Sequence, residues 1–257
     1  MSSWHENDSF WDAMSPVLFT PEIINAAATE VGELEQLLSL SRGSHVVDLM
    51  CGIGRHSIEL ASRGYKVTGI DRHAQFLNRA KASATKAGVA VDFIQLDVRD
   101  LSVSNTFDAA LVLWNTFGYF DTPEQDLQFL RRILESLRPG GQLLIQTLGK
   151  EHIARRFRRG GRDWFEKVGY LELIERRIID NWSSEVTRVI LIGPTGRKDL
   201  EFTCRLYSAV EMMRAFTEVG FREFHLHSSL SGAPYNAWTG QHDTHEGALV
   251  AVARKSP

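Results

Sequence analysis

VVDLMCGIGRHSIELASRGYKVTGID, residues 46–71, reads as a β-α-β unit with a glycine turn at its first crossing. An apolar strand carries Asp48 near its end, Met50-Cys51-Gly52-Ile53-Gly54 make the turn, and a second strand closes on Asp71. Gly52 and Gly54 lack a Cβ, so the backbone there can take unusual dihedrals and approach a ligand closely. The helix beginning near Arg55 offers unpaired N–H groups to that ligand. Three ligands compete for such a turn. A dinucleotide wants a third glycine where Ser57 stands, and a phosphate loop wants a Gly-Lys-Ser/Thr ending that is absent. A nucleoside without phosphates needs acids instead. Asp71 can bridge both ribose hydroxyls, and Asp97, in QLDVRDL after the third strand, could accept from an adenine amino group. Each acid alone reads as readily as a loop cap; three of them ending successive parallel strands favour a ligand site.

Working outward, the alternation continues. Residues 22–40 form an amphipathic helix, with Ile23, Ile24, Ala27, Val31, Leu34 and Leu38 near a 3.6 period. A helix over 74–87 is closed by Gly88; VAVDFIQL is the third strand and FDAALVLW the fourth. Pro123 starts a helix running to Leu137, where RPGG stops it, and QLLIQTL is the fifth strand. Alternating apolar strands and helices imply a parallel sheet covered on both faces, with ligands at the strand C-termini where the strand order switches. After Leu148 the rhythm changes. Three β-rich runs over 164–206 are separated by NWS and PTGR turns, which predicts an antiparallel lobe. Helix returns over 208–219, followed by FREFHLHSSL and EGALVAVAR. The expected divisions are an N-terminal helical cover (1–40), a ligand-binding core (41–150), an inserted antiparallel lid (151–206) and a C-terminal helix and hairpin completing the core sheet (207–257).

Composition sets the outer bounds. The 257 residues are 43% hydrophobic with a formal net charge of −3, which gives no global attraction to nucleic acid or anionic membrane. Cys51 and Cys204 are too few for a disulfide framework or a cysteine zinc site. MSSWHENDSF lacks the pattern of a signal peptide, and no stretch approaches the roughly 18 apolar residues of a membrane span. A cytoplasmic location is expected.

The set DLMCGIGRH, Asp71, LDVRDL, FDAALVLWNTFGYF and LRPGGQLLI resembles the class I S-adenosylmethionine-dependent methyltransferases, and RLYSAVEMMRAFTEVGF with the terminal AVARK resembles the ending of a bacterial small-molecule branch. The resemblance implies a Rossmann-like α/β fold with a seven-stranded, mostly parallel sheet, S-adenosyl-L-methionine as cofactor, and methyl transfer to an N or O atom of a small molecule. It places the cofactor against Asp48, Cys51, Gly52, Gly54, Arg55, His56, Asp71, Arg72, Asp97 and Val98. Trp114 and Asn115 would stand beside the cofactor near the acceptor, with Trp114 itself among the cofactor contacts. One departure is Met50, where the family commonly has glycine; it either points into the core or narrows the methionine pocket.

Phe10 and Trp11, in an aromatic amphipathic N-terminus, are expected to fold over the cofactor as a cover. Phe117, Tyr119, Arg205, Tyr207 and Tyr235 are candidate acceptor contacts, with Tyr207 also counted beside Trp114 and Asn115 as a candidate catalytic group. His56 reads either as a base or as a helix-start residue beside the cofactor. HDTHE (242–246) invites a metal reading, but two histidines three apart on a loop are commonly solvated, and no metal is expected. The basic run Arg155, Arg156, Arg158, Arg159 and Arg162 is read as a solvated helix end because acids follow closely. The alternatives left open are a nucleic-acid methyltransferase and a non-catalytic binding protein. The expected partner is a small-molecule acceptor, with no nucleic acid or membrane, on a monomer or homodimer.

Overall fold

The computed structural model describes residues 3–157, 160–235 and 248–257. Its core is β1 (His45–Leu49), α3 (Arg55–Ser62), β2 (Lys66–Asp71), α4 (Ala74–Ala87), β3 (Asp92–Gln95), β4 (Phe107–Val112), α5 (Pro123–Ser136) and β5 (Leu137–Thr147). Ahead of it lie a single 3-10 turn at Trp4–Glu6, α1 (Asp8–Leu18) and α2 (Pro21–Leu38). After it come α6 (Lys150–Phe157), β6 (Arg162–Lys167), β7 (Tyr170–Ile179), β8 (Ser184–Gly193), β9 (Gly196–Arg205), α7 (Ala209–Val219), β10 (Glu223–His227) and β11 (Leu249–Arg254).

The main sheet has seven strands in the order β10-β11-β5-β4-β1-β2-β3. The run from β5 to β3 is parallel, while β11 and β10 join antiparallel. Strand pleat decides the two layers. Val46 and Val47 are neighbours on β1 yet belong to opposite apolar clusters. Val46 packs with Val31, Leu34 and Leu38 of α2 and Leu60 of α3. Val47 packs with Phe129, Leu130 and Ile133 of α5 and Met212 and Phe216 of α7. Capping boxes at Thr122 and Ser208 start α5 and α7, each satisfying otherwise unpaired N–H groups. Strand order reverses at β1, between β4 and β2, and opens a crevice at the strand C-termini.

A separate antiparallel sheet, β6-β7-β8-β9, forms the inserted lobe. The first of the three β-rich runs is in fact two strands. Val168 and Gly169 both have positive φ (49° and 76°), the demand of a tight hairpin turn, and they fold that run back on itself. One face of this sheet packs on α1 through Phe10, Met14, Val17, Val189 and Leu191. RPGG does not stand outside the fifth strand either: β5 starts at Leu137 and runs through it, Gly140 taking a φ of 76°. Helix α6 runs into the basic run that was read as a helix end, with Arg155 and Arg156 in its last turn. Among the described residues, no helix is long and apolar enough to cross a membrane.

Candidate active site

The crevice beside β1 holds a cavity lined by residues that follow β1, β2, β3 and β4 and by the N-terminal helices. Its floor is the turn after β1. Met50 has a φ of 60°, a left-handed conformation that costs a non-glycine residue about 1–2 kcal/mol. Met50 packs against the main core cluster and is also among the residues lining the cavity. The two glycines have different duties. A Cβ on Gly52 (φ 56°) would lie 3.3 Å from the Phe19 ring across the cavity. A Cβ on Gly54 (φ 72°) would lie 2.7 Å from Phe93 and 3.0 Å from Ala80, so Gly54 serves close packing of α3 and α4 on the sheet.

Asp71 ties the turn to β2. Its Oδ2 accepts from the Gly52 N–H and its Oδ1 from the His73 N–H, each at 2.8 Å. Each carboxylate oxygen therefore keeps a further lone pair. Burial raises the Asp71 pKa, and the two backbone donors oppose that rise. Asp48 is also buried and raised by burial, with Ser57 donating to it at 2.6 Å. At Asp97 burial works against the charge, but the Arg99 guanidinium outweighs it and holds the carboxyl below its ordinary range. Arg99 donates to both Asp97 oxygens, at 2.9 and 2.6 Å, and to Glu6 at 2.6 Å.

On the β4 side, Trp114 and Asn115 follow the strand with φ of 61° and 63°, two consecutive strained residues of the sort that cluster at functional loops. The Arg55 guanidinium lies 4.8 Å from the centre of the Trp114 ring. Glu30 of α2 accepts from Arg55 Nη1 and meets His56 Nε2, both at 2.5 Å. Arg55 is 8% exposed, and its Nη2 has no hydrogen-bond partner among the described residues.

Of the residues singled out in the sequence, the cavity gathers Asp48, Cys51, Gly52, Arg55, His56, Asp71, Arg72, Asp97, Val98, Trp114, Trp11 and Tyr119. Phe10, Gly54, Asn115, Phe117, Arg205, Tyr207 and Tyr235 lie outside its lining. Phe10 packs under the small sheet and Phe117 in the main core. Arg205 Nε and the Tyr207 hydroxyl instead converge on Asp126 Oδ2, at 2.9 and 2.7 Å, and Tyr235 donates to Glu151 at 2.9 Å. Burial and the Asp126 carboxylate push the Tyr207 phenol well above its usual range, so it is a donor there. Sequence reasoning passed over His5, Phe19, Glu30, Arg99 and Asp126. Arg99 was legible, two residues from Asp97; Glu30 and His5 come from distant segments with no local signal. HDTHE, Arg158 and Arg159 lie outside the described residues, as do the side chains of Arg155 and Arg156. Among the described residues no group of three His, Cys, Asp or Glu could hold a metal ion.

A family model described as a methyltransferase domain matches residues 46–141. The putative methyltransferase YqeM of Bacillus subtilis (strain 168) is 30% identical over 120 residues, 46% of this chain and 48% of that protein. The chain spans about half the length of the curated relatives it matches. An S-adenosylmethionine-dependent methyltransferase from Clostridium acetobutylicum ATCC 824 superposes with a TM-score of 0.71 at 12% identity, covering 97% of each chain. The sugar N-methyltransferase KedS8 from Streptoalloteichus sp ATCC 53650 superposes with a TM-score of 0.65 at 19% identity, covering 90% of this chain and 88% of its own. At these identities the structural likeness is one of fold.

Proposed function

We propose, from the premise that residues 46–141 are a methyltransferase domain of the class I S-adenosylmethionine-dependent superfamily, that this protein transfers a methyl group to an N or O atom of a small molecule. The observation that carries the reading is the set of buried or half-buried carboxylates at the ends of β1, β2 and β3, ranged round a glycine turn that one of them pins.

The residues present suit the cofactor. Asp71 has a lone pair to spare on each oxygen for a vicinal diol, and Asp97 with Val98 stands at the adenine end. Arg55, whose buried Nη2 has no partner among the described residues, lines the cavity beside Trp114 on the opposite, β4 side, where the cofactor's amino-acid carboxylate would need a cation. The bound cofactor supplies an electrophilic methyl on a sulfonium, chemistry that belongs to it and not to the protein.

The chain's own part is to hold, align and dry the site. Trp114, Thr116 and Tyr119 wall the side on which an acceptor would lie, and Trp11, Leu18 and Phe19 roof the cavity from the N-terminal helices. Positioning of this kind contributes roughly 7–11 kcal/mol in favourable cases. A neutral amine acceptor needs no base during attack. A hydroxyl would want one, and His56, which lines the cavity beside Glu30, is a candidate. A nucleic-acid substrate is not favoured: Arg162, in the basic run, already pairs with Glu175.

Calorimetric titration with S-adenosylhomocysteine, followed by an acceptor screen reading its release from S-adenosylmethionine, tests the proposal. One-site binding and turnover with a small amine or hydroxyl are expected. Binding without turnover on any acceptor class would leave a binding protein and refute the transferase reading.

A further inference from the structure

One buried imidazole in the cavity wall packs against aromatic rings yet leaves a ring nitrogen without a hydrogen-bond partner among the described residues. His5, in the Trp4–Glu6 turn, is 5% exposed and lines the cavity, yet its Nε2 has no hydrogen-bond partner among the described residues. Buried polar atoms are normally paired, so an unpaired one in a ligand cavity points to a ligand. Its position is fixed from several sides. Arg72 Nη1 and Trp11 Nε1 both donate to the His5 carbonyl, at 3.3 and 2.9 Å. The imidazole meets the Phe120 ring edge-on, centroids 5.6 Å apart, and Arg99 lies over that same Phe120 ring. His5 therefore sits by Arg72 after β2 and by Asp97 and Arg99 after β3, with Phe120 and Asp121 from the segment after β4 alongside.

We propose that His5 is a cofactor-binding residue whose Nε2 hydrogen-bonds the adenosine part of S-adenosylmethionine, so that the N-terminal segment reads the nucleoside as it covers it. This rests on the reading that the cavity holds that cofactor. Burial, with Arg99 adding to it, lowers the imidazole pKa, while Glu6, Asp121 and Asp97 pull the other way. The net effect is downward, which favours the neutral ring. Such a ring offers one donor and one acceptor nitrogen, which suits an adenine nitrogen or a ribose hydroxyl. The charged groups round it are Glu6 on its own turn, Arg72 after β2, Asp97 and Arg99 after β3, and Asp121 after β4. Protonation near Arg99 and Arg72 opposes the contact, so adenosine binding weakens as the medium turns acid.

The test titrates S-adenosylhomocysteine, and 5′-methylthioadenosine, which lacks the amino acid, into the wild type, His5→Phe, His5→Gln and Asp71→Ala at two pH values spanning the ordinary imidazole range. His5→Phe keeps the ring packing and removes the nitrogen. It is expected to weaken both ligands by about three- to tenfold at the higher pH, the worth of one ordinary hydrogen bond. Wild-type affinity is expected to drop at the lower pH, and that drop to be smaller in His5→Phe, where only the buried carboxylates still titrate, a change that loosened packing alone would not produce. Equal affinity of wild type and His5→Phe at both pH values, with Asp71→Ala weakened, overturns the assignment of His5 while leaving the site intact. Undiminished binding by Asp71→Ala, or none by the wild type, overturns the site itself. Should His5→Phe fail to fold in a thermal melt, His5→Gln takes its place in the pH comparison, and an acid drop as large as the wild type's overturns the proposal.

Discussion

Asp71→Asn separates a ligand carboxylate from a loop cap, because the two roles use different lone pairs of the same group. In the folded chain one lone pair on each oxygen accepts a backbone N–H, from Gly52 and from His73. A ribose diol would use the other two. Asparagine has one oxygen and an NH₂. If its oxygen stays on Gly52, the NH₂ faces the His73 N–H, donor against donor, and only one neutral acceptor site remains for the ligand. The change removes at least one charge-assisted hydrogen bond, worth roughly 1.5–3 kcal/mol. That corresponds to about a tenfold to hundredfold rise in the Kd for S-adenosylhomocysteine. Calorimetry reads the Kd, and a 2′-deoxyribose analogue of the ligand closes a double-mutant cycle. The analogue should bind the wild type much more weakly than the parent, and bind Asp71→Asn with little further loss. A Kd within twofold of wild type, or full additivity of the two losses, refutes the reasoning.

The remaining predictions concern the frame around that contact. Asp126 is fully buried with Arg205 and Tyr207 on a single oxygen, so Asp126→Ala strands a largely buried guanidinium and should cost about 3–5 kcal/mol in urea unfolding; a cost under about 1 kcal/mol would contradict the ion pair. Burial lifts the Asp126 carboxyl from 3.8 to about 6, its hydrogen bonds from Tyr207 and Arg205 recovering only part. The folded state thus binds the proton more tightly than the unfolded chain, and this group's contribution to stability is lost as pH rises from about 4 through about 6; Asp126→Asn should flatten that part of the stability profile, and an unchanged slope would count against it. Gly54→Ala places a Cβ 2.7 Å from the Phe93 ring at a φ of 72°, which should destabilise the protein by about 2–4 kcal/mol in thermal melts, whereas an unaltered melting temperature would show that the turn relaxes. Deleting residues 1–20 removes Trp11, Leu18 and Phe19 from the cavity wall and uncovers Val189 and Leu191 of the small sheet. Weaker S-adenosylhomocysteine binding is expected, and unchanged affinity would remove the cover from the site.

The parallel core was readable because each strand is a short apolar run punctuated by glycine, proline or an acid, and the same punctuation marks the edge where the cavity opens. Asp48, Asp71 and Asp97, which line it, were singled out for that reason. The two strands inside residues 162–179 were read as one since their turn, Val168-Gly169, carries a β-branched residue where a left-handed conformation is needed. Arg205 and Tyr207 were placed at the acceptor mouth from the resemblance alone; what their sequence could not disclose is Asp126, on another helix and buried, which draws both away from the cavity. His5 and Glu30 escaped for a related reason. Their relevance lies in meeting β2, β3 and α3 across long sequence separations, and neither local periodicity nor a short motif records such a meeting.

The most direct trial of the account is a crystal structure of the protein grown with S-adenosylhomocysteine. The account predicts the ribose hydroxyls on the Asp71 carboxylate, the adenine beside Asp97 and Val98 under His5, and the amino-acid end on the Arg55 side of β1. Density for the ligand elsewhere, or an Asp71 carboxylate that touches only its own backbone donors, would contradict it.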